Sequence, residues 1–158
     1  MTINDMQRIF REEMRLAGFK KVGSISWALE FDEITWVYSL TKARYGNRMT
    51  LYIGIDIKDL SDGKPTTNYI DCPITGNIVN FQPSIGHDHK TLVDLYDADV
   101  EFDEDEREAE QRCIYKTSAR FSAERTTLSS IQALLKNRQL PGVGITRVAQ
   151  PLIEGSTP

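Results

Sequence analysis

The sequence predicts an α+β domain: an N-terminal helix packed on an antiparallel β-meander of at least three strands, with helices in the C-terminal half. Three observations carry this expectation. An apolar stripe at helical spacing opens the chain, strict two-residue alternation follows, and helical spacing returns after Glu104.

The first helix is written by Ile3, Met6, Phe10, Met14 and Ala17, which recur at intervals of three and four and so share one face. Ile9 and Leu16 widen that stripe. Thr2 supplies an N-cap, Asp5 lies near the positive end of the helix dipole, and Gly18 can adopt the left-handed conformation that ends a last turn.

The period then changes from 3.6 to 2. Ile25, Trp27, Leu29 and Phe31 alternate with small or polar residues, Asp32 and Glu33 interrupt, and Ile34, Trp36, Tyr38 and Leu40 alternate again. Tyr45-Gly46-Asn47 reads as a turn, because Gly and Asn tolerate positive φ. Met49, Leu51, Ile53, Ile55 and Ile57 complete the pattern, with one face buried and one wet. On this reading Trp27 and Trp36 belong to the core. Tyr52 lies with Thr50 and Lys58 on an exposed face. Short turns between consecutive strands give a meander, whose apolar face takes the helix stripe.

From Lys58 onward the signal weakens. SDGKPTTN has loop composition. Residues 69–81 accommodate one or two short strands broken by Pro73 and by Thr75 to Asn77. Residues 92–102 read as a strand or extended segment. Residues 104–121 read as a helix whose inner face carries Ala109, Cys113, Ile114, Thr117 and Phe121. A further helix starts at a Thr126 or Thr127 cap, carries Leu128, Ile131, Leu134 and Leu135, and ends near Gln139 before Pro141 and Gly142. GITRV reads as a short strand or an extended tail. Residues 1–150 form one domain on this reading, and 151–158 a flexible tail.

Composition narrows the function classes. The 158 residues suit one domain, with 40% hydrophobic and 27% charged residues. A net charge of −4 and a pI near 5.2 disfavour direct nucleic-acid binding, which needs a concentrated basic surface. Two cysteines far apart in sequence, Cys72 and Cys113, suggest free, inert, buried thiols in a reducing cytosol. The N-terminal segment lacks the apolar stretch of a signal peptide, and no run has the length of a membrane span. The expected location is cytoplasmic.

The stretch from Gly18 to Ile55 resembles a bacterial family known as domain of unknown function 4304. The matching pieces are GFKK (18–21), SISWALE around Trp27, SLTKARYGNR (39–48) and LYIGI (51–55). Thr41-Lys42-Ala43 stands where that family carries glutamine-lysine-serine. The resemblance covers the first third of the chain well and the rest loosely. It implies an α+β fold and a bacterial or phage setting, and brings no activity with it. Analogy with other small cytosolic domains adds protein binding, including the neutralisation of toxins by immunity proteins.

Several constellations compete for a functional role. His87 and His89, the two histidines of the chain, sit in Gly86-His87-Asp88-His89 and could share a zinc or nickel ion with Asp88 or a cysteine; a polar surface loop is the plainer reading. The run DLYDADVEFDEDEREAE, residues 94–110, holds ten acidic residues and a single Arg107. Asp97, Asp99, Glu101, Asp103, Glu104, Asp105 and Glu106 repel one another and need solvent, a cation or a basic partner. The run lacks the glycine and the ligand periodicity of a calcium loop. Tyr45 and Arg48 at the strand turn could anchor the same partner. No Gly-x-Ser-x-Gly elbow, Walker loop or dinucleotide glycine pattern occurs. The leading expectation is a protein-binding module without a cofactor, engaging a basic protein such as a toxin or nuclease through its acidic surface. The competing expectation is a metal-dependent hydrolase built on His87, His89 and nearby carboxylates. Self-association through an open sheet edge is the third.

Overall fold

The computed structural model describes residues 1–81, 86 and 88–155. Helix α1, Ile3–Leu16, starts with a reciprocal cap: the Thr2 hydroxyl accepts from the Asp5 amide (3.2 Å), and the Asp5 carboxylate accepts from the Thr2 amide (2.8 Å). It ends at Ala17, and Gly18 follows at φ +86°. Strands β1 (Lys20–Lys21), β2 (Ser26–Glu30), β3 (Ile34–Lys42), β4 (Met49–Ile57), β5 (Ile74–Asn77) and β6 (Gly144–Ile145) form one antiparallel sheet in chain order. The expected α+β architecture is therefore present, with six strands in the sheet. Both edges are two-residue strands, and β1 is a pair of exposed lysines, a pattern that discourages edge pairing.

Helices α2 (His89–Leu95), α3 (Glu104–Ala123), α4 (Leu128–Lys136) and α5 (Gln150–Ile153) follow. Thr127 is the cap of α4. One core joins the inner sheet face to these helices. Trp36, Tyr38, Ile53 and Ile55 meet Met6, Ile9 and Met14 of α1, Tyr115 and Phe121 of α3, and Ile131 of α4. Two polar tips inside this core are paired, while the Tyr96 and Tyr115 hydroxyls are buried without a hydrogen-bond partner among the described residues. Trp36 Nε1 donates to the Arg125 carbonyl (2.9 Å), and the Tyr38 hydroxyl donates to the Ser118 carbonyl (2.9 Å) beside Ser122 Oγ (2.7 Å).

Four expectations are corrected. First, the outer sheet face is largely covered. Residues 58–73 cross it as a strap, Tyr69 stacks on Tyr52 with ring centres 4.5 Å apart, and Ala28, Val37 and Cys72 form a small second core. β3 is consequently buried on both faces over Ile34–Leu40. Second, residues 92–95 are helical. Asp88 caps α2 by accepting from the Thr91 amide (3.0 Å), and Leu92, Leu95 and Tyr96 enter the core at helical spacing. The rest of that segment, from Tyr96 on, falls in the loop beyond. Third, Ala109 and Cys113 face solvent; the buried face of α3 is Arg107, Gln111, Ile114, Tyr115, Ser118, Ala119, Phe121 and Ser122. Fourth, in the segment expected to be a flexible tail, Leu152 and Ile153 of α5 pack against the core.

Candidate functional site

The β3–β4 hairpin carries one end of the candidate surface. Its turn, residues 43–48, holds Gly46 at φ +80° and leaves Arg44, Tyr45, Asn47 and Arg48 exposed. Tyr45 keeps 79% of its surface, with the Arg44 guanidinium 5.5 Å from its ring centre.

The loop between α2 and α3, residues 96–103, supplies the carboxylates. It is clasped to the turn through the backbone: the Ala98 amide donates to the Asn47 carbonyl (2.8 Å), the Met49 amide donates to the Tyr96 carbonyl (2.8 Å), and Arg48 forms a bridge with Asp97. Asn47 Nδ2 adds a bond to Asp99 Oδ1 (3.0 Å). Tyr45, Arg48, Asp97 and Asp99, four residues singled out from the sequence, are thus brought to one end of the sheet.

The acidic run is organised from within. Arg107, only 1% exposed, donates from Nη1 to the Asp97 carbonyl (3.0 Å) and from Nη2 to the Val100 carbonyl, and lies over the Phe102 ring (4.9 Å). A long cation folded back under the loop fixes the carbonyls inward. Asp99, Glu101, Asp103, Glu104, Asp105 and Glu106 all stay exposed. Arg107 was visible in the sequence as the lone basic residue of the run, the one signal that could have exposed this role.

Several of the carboxylates also have internal tasks. Asp97 Oδ1 accepts from the Asp99 amide (3.0 Å), Asp103 caps α3 by accepting from the Glu106 amide (3.0 Å), and Glu104 pairs with the N-terminal amine of Met1. Glu101, Asp105 and Glu106 project at the helix start, beside an open recess lined by Ala98 to Glu104.

His87 lies outside the described residues, as does the side chain of His89. Among the described residues no group of three or more His, Cys, Asp and Glu side chains is placed to hold a metal ion. Cys72 is buried and its thiol is pushed well above its usual range by desolvation, with Asp56 and Asp71 adding to the shift, which opposes a nucleophilic role. No helix among the described residues is long and apolar enough to cross a membrane. Comparison of the chain with family models, with curated proteins and with solved structures finds no match.

Proposed function

We propose that the chain is a protein-binding module that engages a basic protein partner through the face made by the β3–β4 turn, the 96–103 loop and the first turn of α3. The observation that carries this reading is the clasp between Asn47 and the Ala98–Asp99 segment. It sets an exposed tyrosine beside a row of outward carboxylates on backbone that is already ordered. Preorganisation reduces the ordering cost of association, exposed Tyr is a frequent anchor, and complementary charge speeds encounter. A cytosolic bacterial or phage setting, distant kinship with the 4304 family, and neutralisation of a toxin or nuclease are the finer parts of the same proposal. They rest on the sequence resemblance and on charge.

The test is affinity capture from a lysate of the source organism at low and high salt, followed by titration of the purified partner. Asp105→Lys with Glu106→Lys reverses two exposed charges that cap nothing; the lost first-turn acids of α3 cost about 0.3–1 kcal/mol each, and circular dichroism checks that the variant is folded. Affinity is expected to fall about tenfold or more, with a weaker salt dependence, and Tyr45→Ala is expected to cost a comparable factor. Unchanged affinity in both variants removes this face from the account.

A further inference from the structure

The outer face of the sheet carries a second feature at the opposite end of the β3–β4 hairpin. Thr35 is eight residues along β3 from the turn at Ala43, roughly 26 Å away at ordinary strand rise. Here the strap of residues 58–67 stands off the sheet and leaves a recess of about 330 Å³. Asp56 and Thr35, cross-strand partners on the outer face, line it together with Ala28, Val22 and Pro65. Asp56 also lines a neighbouring recess of about 330 Å³.

Asp56 is only 6% exposed, yet it has little to hold it there. Its Oδ2 accepts from the Thr66 hydroxyl, its one hydrogen-bond partner among the described residues. Its Oδ1 is not sealed from solvent, so it remains open to the recesses. The hydroxyl of Thr35, a residue 7% exposed, is likewise without a protein partner among the described residues and not sealed. The nearby cations do not complete the carboxylate. Lys58, Lys64 and Glu30 line the recess as well, but Lys58 Nζ is bound to Glu30 Oε1 at 2.7 Å, and neither lysine makes an ion pair with Asp56 among the described residues. A carboxylate withdrawn from bulk water favours a cation as its partner. The volume is at the small end of ligand pockets, which begin at about 300 Å³.

We propose that this recess binds a small organic cation, an alkylammonium or alkylguanidinium. Asp56 is the counter-ion, the Thr35 hydroxyl is a second acceptor, and the alkyl body lies against Val22, Ala28 and Pro65. The site is independent of the acidic face described above. The contrasting role for Asp56 is to pin the strap through Thr66, and the two roles separate by experiment.

The full chain is titrated with n-butylammonium and n-butylguanidinium, followed by amide chemical shifts, with n-butanol and butyrate as neutral and anionic matches. Saturable shifts at Ala28, Thr35, Asp56 and Thr66 are expected with at least one cation and with neither control. Asp56→Asn is expected to weaken binding about tenfold or more, the scale of one charge-assisted bond. Thr66→Val is expected to retain it. Should Asp56→Asn fail to fold, Thr35→Val provides the second reading, with a severalfold loss expected. Absence of saturation with both cations, equal response to butanol, undiminished binding by Asp56→Asn or by the Thr35→Val substitute, loss of binding in Thr66→Val, or shifts confined to residues 97–106 would each overturn the proposal.

Discussion

Gly54 shows how one missing side chain sets the shape of the outer face. A Cβ at this position would stand 2.6 Å from Cys72 Sγ, 2.9 Å from Cys72 Cβ and 3.1 Å from Tyr69 Cα. The glycine therefore lets the strap descend onto β4, where Tyr69 stacks on Tyr52 and Cys72 closes the small core with Ala28 and Val37. Its own backbone angle is not in the left-handed region, so the constraint is space and not conformation. Gly54→Ala is expected to destabilise the chain by about 1–3 kcal/mol, the usual cost of overpacking. Urea denaturation measures it. Cys72→Ala in the same chain removes the nearest atom and is expected to recover part of the loss; no recovery would place the strain at the two contacts that remain, the Cβ of residue 72 and Tyr69 Cα. Nothing in the alternation Tyr52-Ile53-Gly54-Ile55 announced this contact, because the partner lies in a strap of loop composition.

At the scale of elements, α1 and α3 are joined by apolar packing and by one charged cluster. Phe10 meets Tyr115 edge to face at 5.4 Å, and beside them Arg112 bonds to Glu12 (2.8 Å), Glu13 (2.8 Å) and Glu108 (2.6 Å). Glu12 and Glu108 are partly exposed, so their pairs are worth little by themselves. Glu13 is different: its side chain keeps 3% exposure, and losing Arg112 would strand a buried carboxylate. Arg112→Met is expected to cost about 3 kcal/mol, and adding Glu13→Gln to recover at least about 1 kcal/mol. A loss under about 1 kcal/mol for the single variant would mean that Glu13 finds water when unpaired. The same helix shows why sequence reading selected the wrong stripe. Arg107, Gln111 and Ser122 are buried because each meets a polar need at the interface, whereas the buried Ser118 hydroxyl has no partner among the described residues. Gln111 Nε2, for example, donates to the Leu95 carbonyl at 2.7 Å. An apolar scan passes over such positions and turns to Ala109 and Cys113, which face water.

Across the whole molecule, the elements legible in sequence were those with long, uninterrupted periods: α1 over four turns and β3–β4 over nine residues each. The acidic run was legible too, but its clasp to the turn joins residues 47 and 99, and the Asp56 recess needs a strap that no local pattern encodes. Charge links these distant parts in a single measurable property. Several carboxylates are held below their ordinary values by the fold: Asp5 by the Thr2 hydroxyl and amide, Glu12 by Arg112 and then Arg8, Glu30 by Lys58, and Asp88 by the Thr91 hydroxyl and amide. A folded pKa below the unfolded one means that the folded state releases the proton more readily. The stabilisation is then complete above the ordinary values of 4.5 for Glu and 3.8 for Asp, and is lost as pH falls through the lower folded values. The net charge of −4 works the other way between neutrality and the pI near 5.2, where acidification relieves repulsion. The expected melting temperature is therefore level or slightly rising from about pH 7 to about pH 5, and falls below about pH 4.5. Glu30→Gln removes one of the depressed carboxylates together with its ion pair to Lys58. Its melting curve is expected to start lower at neutral pH and to approach the parent curve in acid. A Glu30→Gln curve parallel to the parent from about pH 7 to about pH 3 would show that the Lys58 pair contributes no pH-dependent stability.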